Sequence, residues 1–171
     1  MSKKYVVAGA GIGGLCAALA LAKRGVEIAV YEKSSLLTEV GAGLQLSPNA
    51  LHVLQSLGIA DQVKAKAFSP ESAVMRHYQT GKTYFCVPLG GAATKKYGAD
   101  YLHIHRADLL TVLHDACEKM GVNIHLGQAI QGYQHASQNL TIQFENGESL
   151  DADLLIGADG IKSKVQACML G

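Results

Sequence analysis

The chain has 171 residues, of which 49% are apolar and 17% are charged, and its 15 basic and 14 acidic residues leave a net charge of +1. This composition is typical of a globular domain and excludes a disordered chain. The sequence contains neither a basic stripe nor an apolar run of membrane-spanning length, so we expect no nucleic-acid partner and no membrane span. Its four cysteines lack metal-ligand or redox spacing, which predicts no metal site and favours a reducing, cytoplasmic setting.

A parallel strand–helix–strand unit is predicted at the start of the chain. Residues 5–8 form a short apolar run, residues 12–24 have helical apolar periodicity ending at Gly25, and residues 26–31 form a second apolar run. The whole unit takes about 30 residues, as a parallel crossover requires.

The rest of the chain is predicted from its apolar periodicity and turn residues. Helices are expected at 48–57 and 106–120, and loops at 34–45 and 90–100. Asn146-Gly147 predicts a two-residue hairpin turn inside an antiparallel meander. Strands are expected at 71–78, 82–87, 122–126, 129–135, 139–145, 148–151 and 154–156.

The turn between the first strand and its helix contains a predicted ligand-binding motif. Gly9-Ala10-Gly11-Ile12-Gly13-Gly14 matches the dinucleotide pattern G-x-G-x-x-G, and the second strand is followed by Glu32. Gly9 allows the tight turn, Gly11 lets a pyrophosphate approach the backbone, and Gly14 lets helix and strand pack closely. The pyrophosphate would sit on the helix N-terminus, and Glu32 is placed to accept hydrogen bonds from a ribose.

The fingerprint alone leaves the ligand open. A glycine-rich turn without a ligand is the alternative, and the pattern does not separate FAD from NAD. Glu32 argues only against a 2′-phosphorylated adenosine, because two negative charges would repel.

Four stretches, in the expected order, resemble the class A flavoprotein monooxygenases, and among them the salicylate hydroxylase-like aromatic hydroxylases. They are residues 9–33, 40–50 (VGAGLQLSPNA), 105–109 (HRADL) and 157–163 (GADGIKS). The resemblance implies an α/β, Rossmann-like FAD/NAD(P)-binding fold of three layers (ββα), with a parallel sheet and an antiparallel meander.

The resemblance also implies a set of FAD contacts. Gly43 would lie near the flavin, Arg106 would contact FAD, and Ile130 would border the adenine pocket through its backbone. Asp159 would support the pyrophosphate region, and the matching Asp-Gly motif of the family is also linked to the use of NAD(P)H. The alternatives are a surface loop at 41–45, a solvated Arg106 and a plain Asp-Gly turn.

The candidate cofactor-binding residues combine the fingerprint with these contacts, and no catalytic residue is assigned. They are Gly9, Gly11, Gly13, Gly14, Glu32, Lys33, Gly43, Arg106, Ile130 and Asp159. One departure from the family stands at Gln166, where members often carry an arginine.

The function implied by the resemblance is NAD(P)H-dependent hydroxylation of a small aromatic substrate, such as a salicylate or a hydroxybenzoate, with FAD as cofactor. The alternatives are an NAD-dependent oxidoreductase and a non-catalytic dinucleotide-binding fragment.

Family members are longer and carry a second FAD motif that begins with Gly-Asp, a dipeptide absent from this sequence. We therefore expect residues 1–171 to be a truncated FAD-binding domain, with residues 71–100 beginning an incomplete substrate-domain sheet. Its expected partners are a missing C-terminal half or further copies of the chain. The chain alone is expected to be inactive as a hydroxylase.

Gly11→Val is expected to abolish dinucleotide binding, because the new side chain would occupy the path of the pyrophosphate. Titration with FAD measures the effect. An affinity equal to that of the unmodified chain would contradict the assignment of the fingerprint.

Overall fold

A computed structural model describes residues 3–37, 42–135 and 139–171. The elements, in chain order, are β1 (Tyr5–Ala8), α1 (Ile12–Ala22), β2 (Ile28–Glu32), β3 (Gly43–Leu46), α2 (Pro48–Leu57), α3 (Ala60–Lys66), β4 (Ser72–Arg76), β5 (Thr83–Pro88), α4 (Gly90–Tyr97), β6 (Leu102–His105), α5 (Arg106–Lys119), β7 (Asn123–Leu126), β8 (Ile130–His135), β9 (Leu140–Phe144), β10 (Ser149–Ala152), β11 (Leu154–Gly157) and α6 (Lys164–Leu170).

The chain divides into two compact units. Unit 1 comprises Met1–Glu39 and Leu110–Gly171, and unit 2 comprises Val40–Leu109. The boundary between Leu109 and Leu110 falls inside α5.

A four-stranded parallel sheet in the order β11-β1-β2-β7 is the centre of unit 1. Tyr5 pairs with Leu154 on one side and with Ile28 on the other. The strand β1 is therefore central, and its Val6, Val7 and Ala8 are at most 2% exposed. Because the strands run the same way, their carboxyl ends meet at one edge of the sheet.

Unit 1 has three layers. Val6 and Ala8 pack into a cluster with Ile142 and Phe144 of the meander, while Val7 lies beneath α1, beside Gly14. The helix α5 joins this helical layer, since the buried Cys117 thiol donates to the Leu15 carbonyl over 3.4 Å. The predicted α/β fold, with a parallel sheet and an antiparallel meander, is confirmed.

The meander β8-β9-β10 is antiparallel throughout, as predicted. Its second connection is not the predicted two-residue turn. Gly147 has φ +87°, whereas Asn146 keeps a negative φ, and the Gly147 N–H donates to the Phe144 carbonyl while the Phe144 N–H donates to the Glu148 carbonyl. This pattern is a type I turn followed by a glycine bulge, the form that a longer hairpin connection takes.

Unit 2 contains an antiparallel pair, β3 with β6, and an antiparallel hairpin, β4 with β5. The helix α2 begins after Ser47 and ends at Gly58, whose φ of +76° is left-handed, and both ends agree with the prediction. Leu51, Leu54 and Leu57 are its buried face.

Two predicted loops were wrong in part. Residues 90–97 form α4, which buries Ala93 and ends at the left-handed Gly98. Residues 43–45 belong to β3, where Gly43 pairs with His105 and Leu46 with Leu102; residues 38–41 of that predicted loop lie outside the described residues. Glycine lowers helix propensity and strand propensity alike, so pairing with β6 decided residues 43–45, and packing that buries Ala93 favoured the helix at 90–97.

All four cysteines are free, and Cys117 is fully buried, which raises its thiol pKa to about 11. Within the described part of the chain, no helix has both the length and the apolar character to cross a membrane.

Ile142→Ala is expected to lower the free energy of unfolding by about 2–5 kcal/mol, because the fully buried Ile142 leaves a cavity between meander and sheet. Chemical denaturation measures the change. Leu36→Ala is the control, since that side chain is 66% exposed, and equal losses for both variants would contradict the packing described.

Candidate dinucleotide-binding site

The turn from β1 to α1 is fixed by backbone conformation and by close packing. Gly9 has φ +99°, which L side chains rarely adopt, and a Cβ there would lie 2.5 Å from the Ala158 carbonyl oxygen. Its N–H donates to the Tyr31 carbonyl over 2.7 Å. The turn is thus held against both neighbours of β1, the strand β2 and the segment after β11.

The other glycines of the fingerprint differ in their surroundings. A Cβ on Gly14 would lie 1.9 Å from the Gly9 carbonyl oxygen, so only glycine allows this helix to approach its strand. A Cβ on Gly11 or on Gly13 would meet nothing within 4 Å. Gly11 and Gly13 therefore border open space, whereas Gly9 and Gly14 allow backbone segments to pack closely.

The N-terminus of α1 is suited to an anion. Its N-cap residue is Gly11, which provides no side-chain hydrogen bond, and the first turn carries no acidic residue. The first N–H groups of a helix lack intrahelical partners, and the helix dipole favours negative charge there. With the open space over Gly11 and Gly13, this arrangement can accept a pyrophosphate.

The Glu32 carboxylate lies beside this turn, at the end of β2. One oxygen accepts the Ala10 N–H over 2.8 Å, and the other accepts the Ser34 N–H over 2.9 Å. The side chain is half-buried. Sequence reasoning missed both partners, because backbone donors leave no residue-type signal.

Asp159 lies beyond the carboxyl end of β11 and organises the start of α6. One carboxylate oxygen accepts the Ser163 hydroxyl over 2.5 Å, and the other accepts the backbone N–H of Lys164 over 2.6 Å and of Val165 over 3.2 Å. Burial alone would raise the pKa of Asp159, but these hydrogen bonds outweigh it and lower the pKa below its usual value.

Unit 1 brings several predicted site residues together at the carboxyl edge of its parallel sheet. Gly9 approaches the Ala158-Asp159 backbone, and Glu32 binds the adjacent Ala10. Ile130 begins β8 and is 9% exposed, and the Gln128 N–H just before it donates to the Glu32 carbonyl over 2.8 Å. Lys33 follows β2 and is exposed.

Unit 2 holds the other two predicted residues, which lie close to each other. Gly43 pairs with His105 across β3 and β6, and the N–H of Arg106 donates to the Ala42 carbonyl over 3.0 Å. The Arg106 side chain is half-buried. Cofactor contacts by these residues, as by the rest of the set, stay predictions.

A cavity of about 480 Å³ adjoins the Asp159 turn, and no sequence motif indicated it. Tyr133, Leu155, Gln166 and Met169 contribute to its lining. They come from three separate elements, β8, β11 and α6, so no local spacing could reveal the cavity. Gln166, the departure from the family pattern, faces this space.

Comparison of the sequence with known proteins agrees with the fold and with the glycine-rich turn between β1 and α1. Residues 3–170 match the family model described as an FAD binding domain. The chain belongs to this family of FAD-binding domains. Nearly the whole chain is matched, so the family accounts for both units.

The most similar proteins include named monooxygenases. The chain is 33% identical to a 6-hydroxynicotinate 3-monooxygenase of Pseudomonas fluorescens over 99% of this chain and 44% of that protein. It is 36% identical to 3-hydroxybenzoate 6-hydroxylase 1 of Aquipseudomonas alcaligenes over 100% of this chain and 44% of the relative. The chain therefore spans less than half the length of these relatives.

A solved structure shows the same fold with a bound flavin. The crystal structure of Klebsiella pneumoniae HpxO complexed with FAD and uric acid has a TM-score of 0.82 and 28% identity. The similarity covers 95% of this chain and 40% of that protein.

Asp159→Asn is expected to lower the free energy of unfolding by about 1–3 kcal/mol at neutral pH, because an amide oxygen replaces a charged acceptor. The native pKa is lowered, so the stabilisation by the carboxylate is present above its unfolded pKa and is lost as the pH falls through the native pKa. The difference between the two proteins should therefore shrink below about pH 4.

Denaturation curves at neutral and acid pH measure this difference. The control is Asp151→Asn, whose exposed carboxylate accepts a Thr141 hydroxyl that an amide can also accept. A pH-independent difference for Asp159→Asn would contradict the role assigned to its carboxylate.

Proposed function

We propose that this chain is the FAD-binding portion of an NAD(P)H-dependent flavoprotein monooxygenase that hydroxylates a small aromatic substrate. The observation that carries the proposal is the uncapped N-terminus of α1 with open space over Gly11 and Gly13, in a chain of the FAD-binding domain family. The names of its relatives support the reaction class.

The residues present fit the ADP portion of FAD. The pyrophosphate would be held by the backbone N–H groups at the start of α1, where no Cβ intrudes. Each Glu32 oxygen already accepts one backbone N–H, and its remaining lone pairs can accept ribose hydroxyls. Its charge also disfavours a 2′-phosphate.

Asp159 would act on this site through the backbone. Its carboxylate fixes the turn that follows β11, and the backbone of that turn lies against Gly9. Ile130 would border the adenine through its backbone, and Lys33 would lie at the rim. In unit 2, Gly43 and Arg106 would meet other parts of FAD, with Arg106 contributing a positive charge.

Bound FAD would supply the redox chemistry, because flavins accept hydride from NAD(P)H and react with O₂ when reduced. The described residues would bind and orient the cofactor.

The substrate class is proposed from the relatives, which are named for a hydroxylated nicotinate and a hydroxylated benzoate. We expect a small aromatic ring that carries a hydroxyl group. All four cysteines are free thiols, which supports a cytoplasmic setting.

The β4–β5 hairpin supports the proposal that residues 71–100 begin a substrate-domain sheet. Both strands are exposed along their whole length. Register pairs Ala73 with Val87 and Met75 with Phe85, so one face of the ribbon presents four apolar side chains. A two-stranded ribbon is marginally stable in water, and further strands or a covering element would stabilise it.

The purified chain is expected to bind FAD, measured by the change in flavin absorbance and fluorescence on titration. ADP should compete, and an ADP that carries a 2′-phosphate should compete less well because of Glu32. Binding of NAD⁺ without binding of FAD would overturn the proposal in favour of a nicotinamide-dependent oxidoreductase.

The reaction itself is tested on a protein of the relatives' length. We expect NAD(P)H oxidation that hydroxylated benzoates or pyridines accelerate and that yields a hydroxylated product. Failure of every such aromatic compound to accelerate oxidation would contradict the substrate class.

A further inference from the structure

We propose that Glu32 is a positioning residue, whose carboxylate holds the Gly9–Gly11 turn in its binding-competent form before any ligand arrives. The ligand-binding part of this inference rests on the proposed function. The part that concerns the free protein does not.

The geometry ties three segments to one side chain. Glu32 ends β2, Ala10 belongs to the turn after β1, and Ser34 begins the segment after β2. The carboxylate uses one oxygen for each of the two backbone donors, at 2.8 and 2.9 Å. It therefore links the turn at Ala10, which would face the pyrophosphate, to the segment at Ser34, which would face the ribose.

The Gly9 N–H ties the start of the turn to the Tyr31 carbonyl, and the carboxylate ties the next residue, Ala10, because the glycines do not by themselves select one conformation. Gly9 and Gly11 are free of the Cβ constraint that restricts other residues, so an unsupported turn would sample many backbone states. Ala10 is 1% exposed, and burying a backbone N–H without an acceptor has a large free-energy cost. The carboxylate removes that cost only when the turn adopts the observed form.

The substitution Glu32→Gln distinguishes a role in holding the turn from a role in binding the ribose. Ribose hydroxyls both donate and accept, so an amide can replace a carboxylate in binding them. Two backbone N–H groups only donate, and an amide offers a single acceptor oxygen, so its NH₂ group would face one of the two N–H groups. Glu32→Gln therefore breaks the link while it preserves much of a ribose contact.

The first measurement compares ADP with 2′,3′-dideoxy-ADP, which lacks both ribose hydroxyls, by calorimetric titration. Glu32→Gln is expected to weaken binding of both ligands by a similar factor, on the order of tenfold. Glu27→Gln, an exposed residue just before β2, is the control and should change neither affinity. An unchanged affinity for dideoxy-ADP, with weakened ADP binding, would overturn the proposal, because Glu32 would then act through the ribose alone.

The second measurement uses the ligand-free chain and is independent of the proposed function. Amide hydrogen exchange at Ala10 and Ser34 should accelerate in Glu32→Gln and stay unchanged in Glu27→Gln. If ADP fails to bind the unmodified chain, the proposed function is wrong, and amide exchange still decides the role of Glu32.

The unmodified chain supplies the decisive comparison if Glu32→Gln does not fold. Ser34 is exposed, so slow exchange of its amide requires the hydrogen bond to Glu32. Its amide should exchange more slowly than that of the exposed Gly13, which lies in the first turn of α1 and has no intrahelical acceptor. Equal exchange rates at Ser34 and Gly13 would overturn the proposal.

Discussion

The close approach of α1 to β1 is the constraint on which the rest of the candidate site depends. A single added carbon on Gly14 would lie 1.9 Å from the Gly9 carbonyl oxygen. Because the helix can lie this near, its N-terminus is placed directly after the turn at the carboxyl edge of the sheet. Gly9 must also lack a side chain, because the Ala158 carbonyl on the other side of the turn leaves no room for a Cβ.

The two acidic residues of the site share a manner of action. Glu32, at the end of β2, and Asp159, just after β11, both accept hydrogen bonds from backbone N–H groups, and these two strands flank β1 in the parallel sheet. Each carboxylate thus shapes the backbone of a turn, and the two turns meet at Gly9. Both carboxylates accept backbone N–H groups outside the first turn of α1, and the start of α1, which no side chain caps, borders open space at Gly11 and Gly13.

The two units differ in how completely their sheets are covered. In unit 1 both faces of the parallel sheet are packed, one against the meander and the other against helices, as all-parallel sheets require. In unit 2 the β4–β5 hairpin leaves apolar side chains exposed on a two-stranded ribbon. The relatives are more than twice as long as this chain, which fits the proposal that this ribbon belongs to a larger sheet.

The sequence by itself determined the elements whose signals are local. The G-x-G-x-x-G turn, the apolar runs of β1, β2 and β11, and the alternating pattern of β9 each depend on neighbouring residues, so they could be read in order. The family could be recognised for the same reason, because its motifs are short strings. Glu32 and Asp159 could be selected as site residues, but their partners could not.

Tertiary structure alone decided the features that join distant parts of the chain. The strand β3 forms because Gly43–Leu46 pairs with Leu102–His105. No local sequence pattern predicts this pairing. The Ala10 and Ser34 N–H groups that bind Glu32, and the Lys164 and Val165 N–H groups that bind Asp159, are backbone donors common to almost every residue type. A sequence specifies where carboxylates stand, but only the folded chain decides which backbone groups come within reach of them.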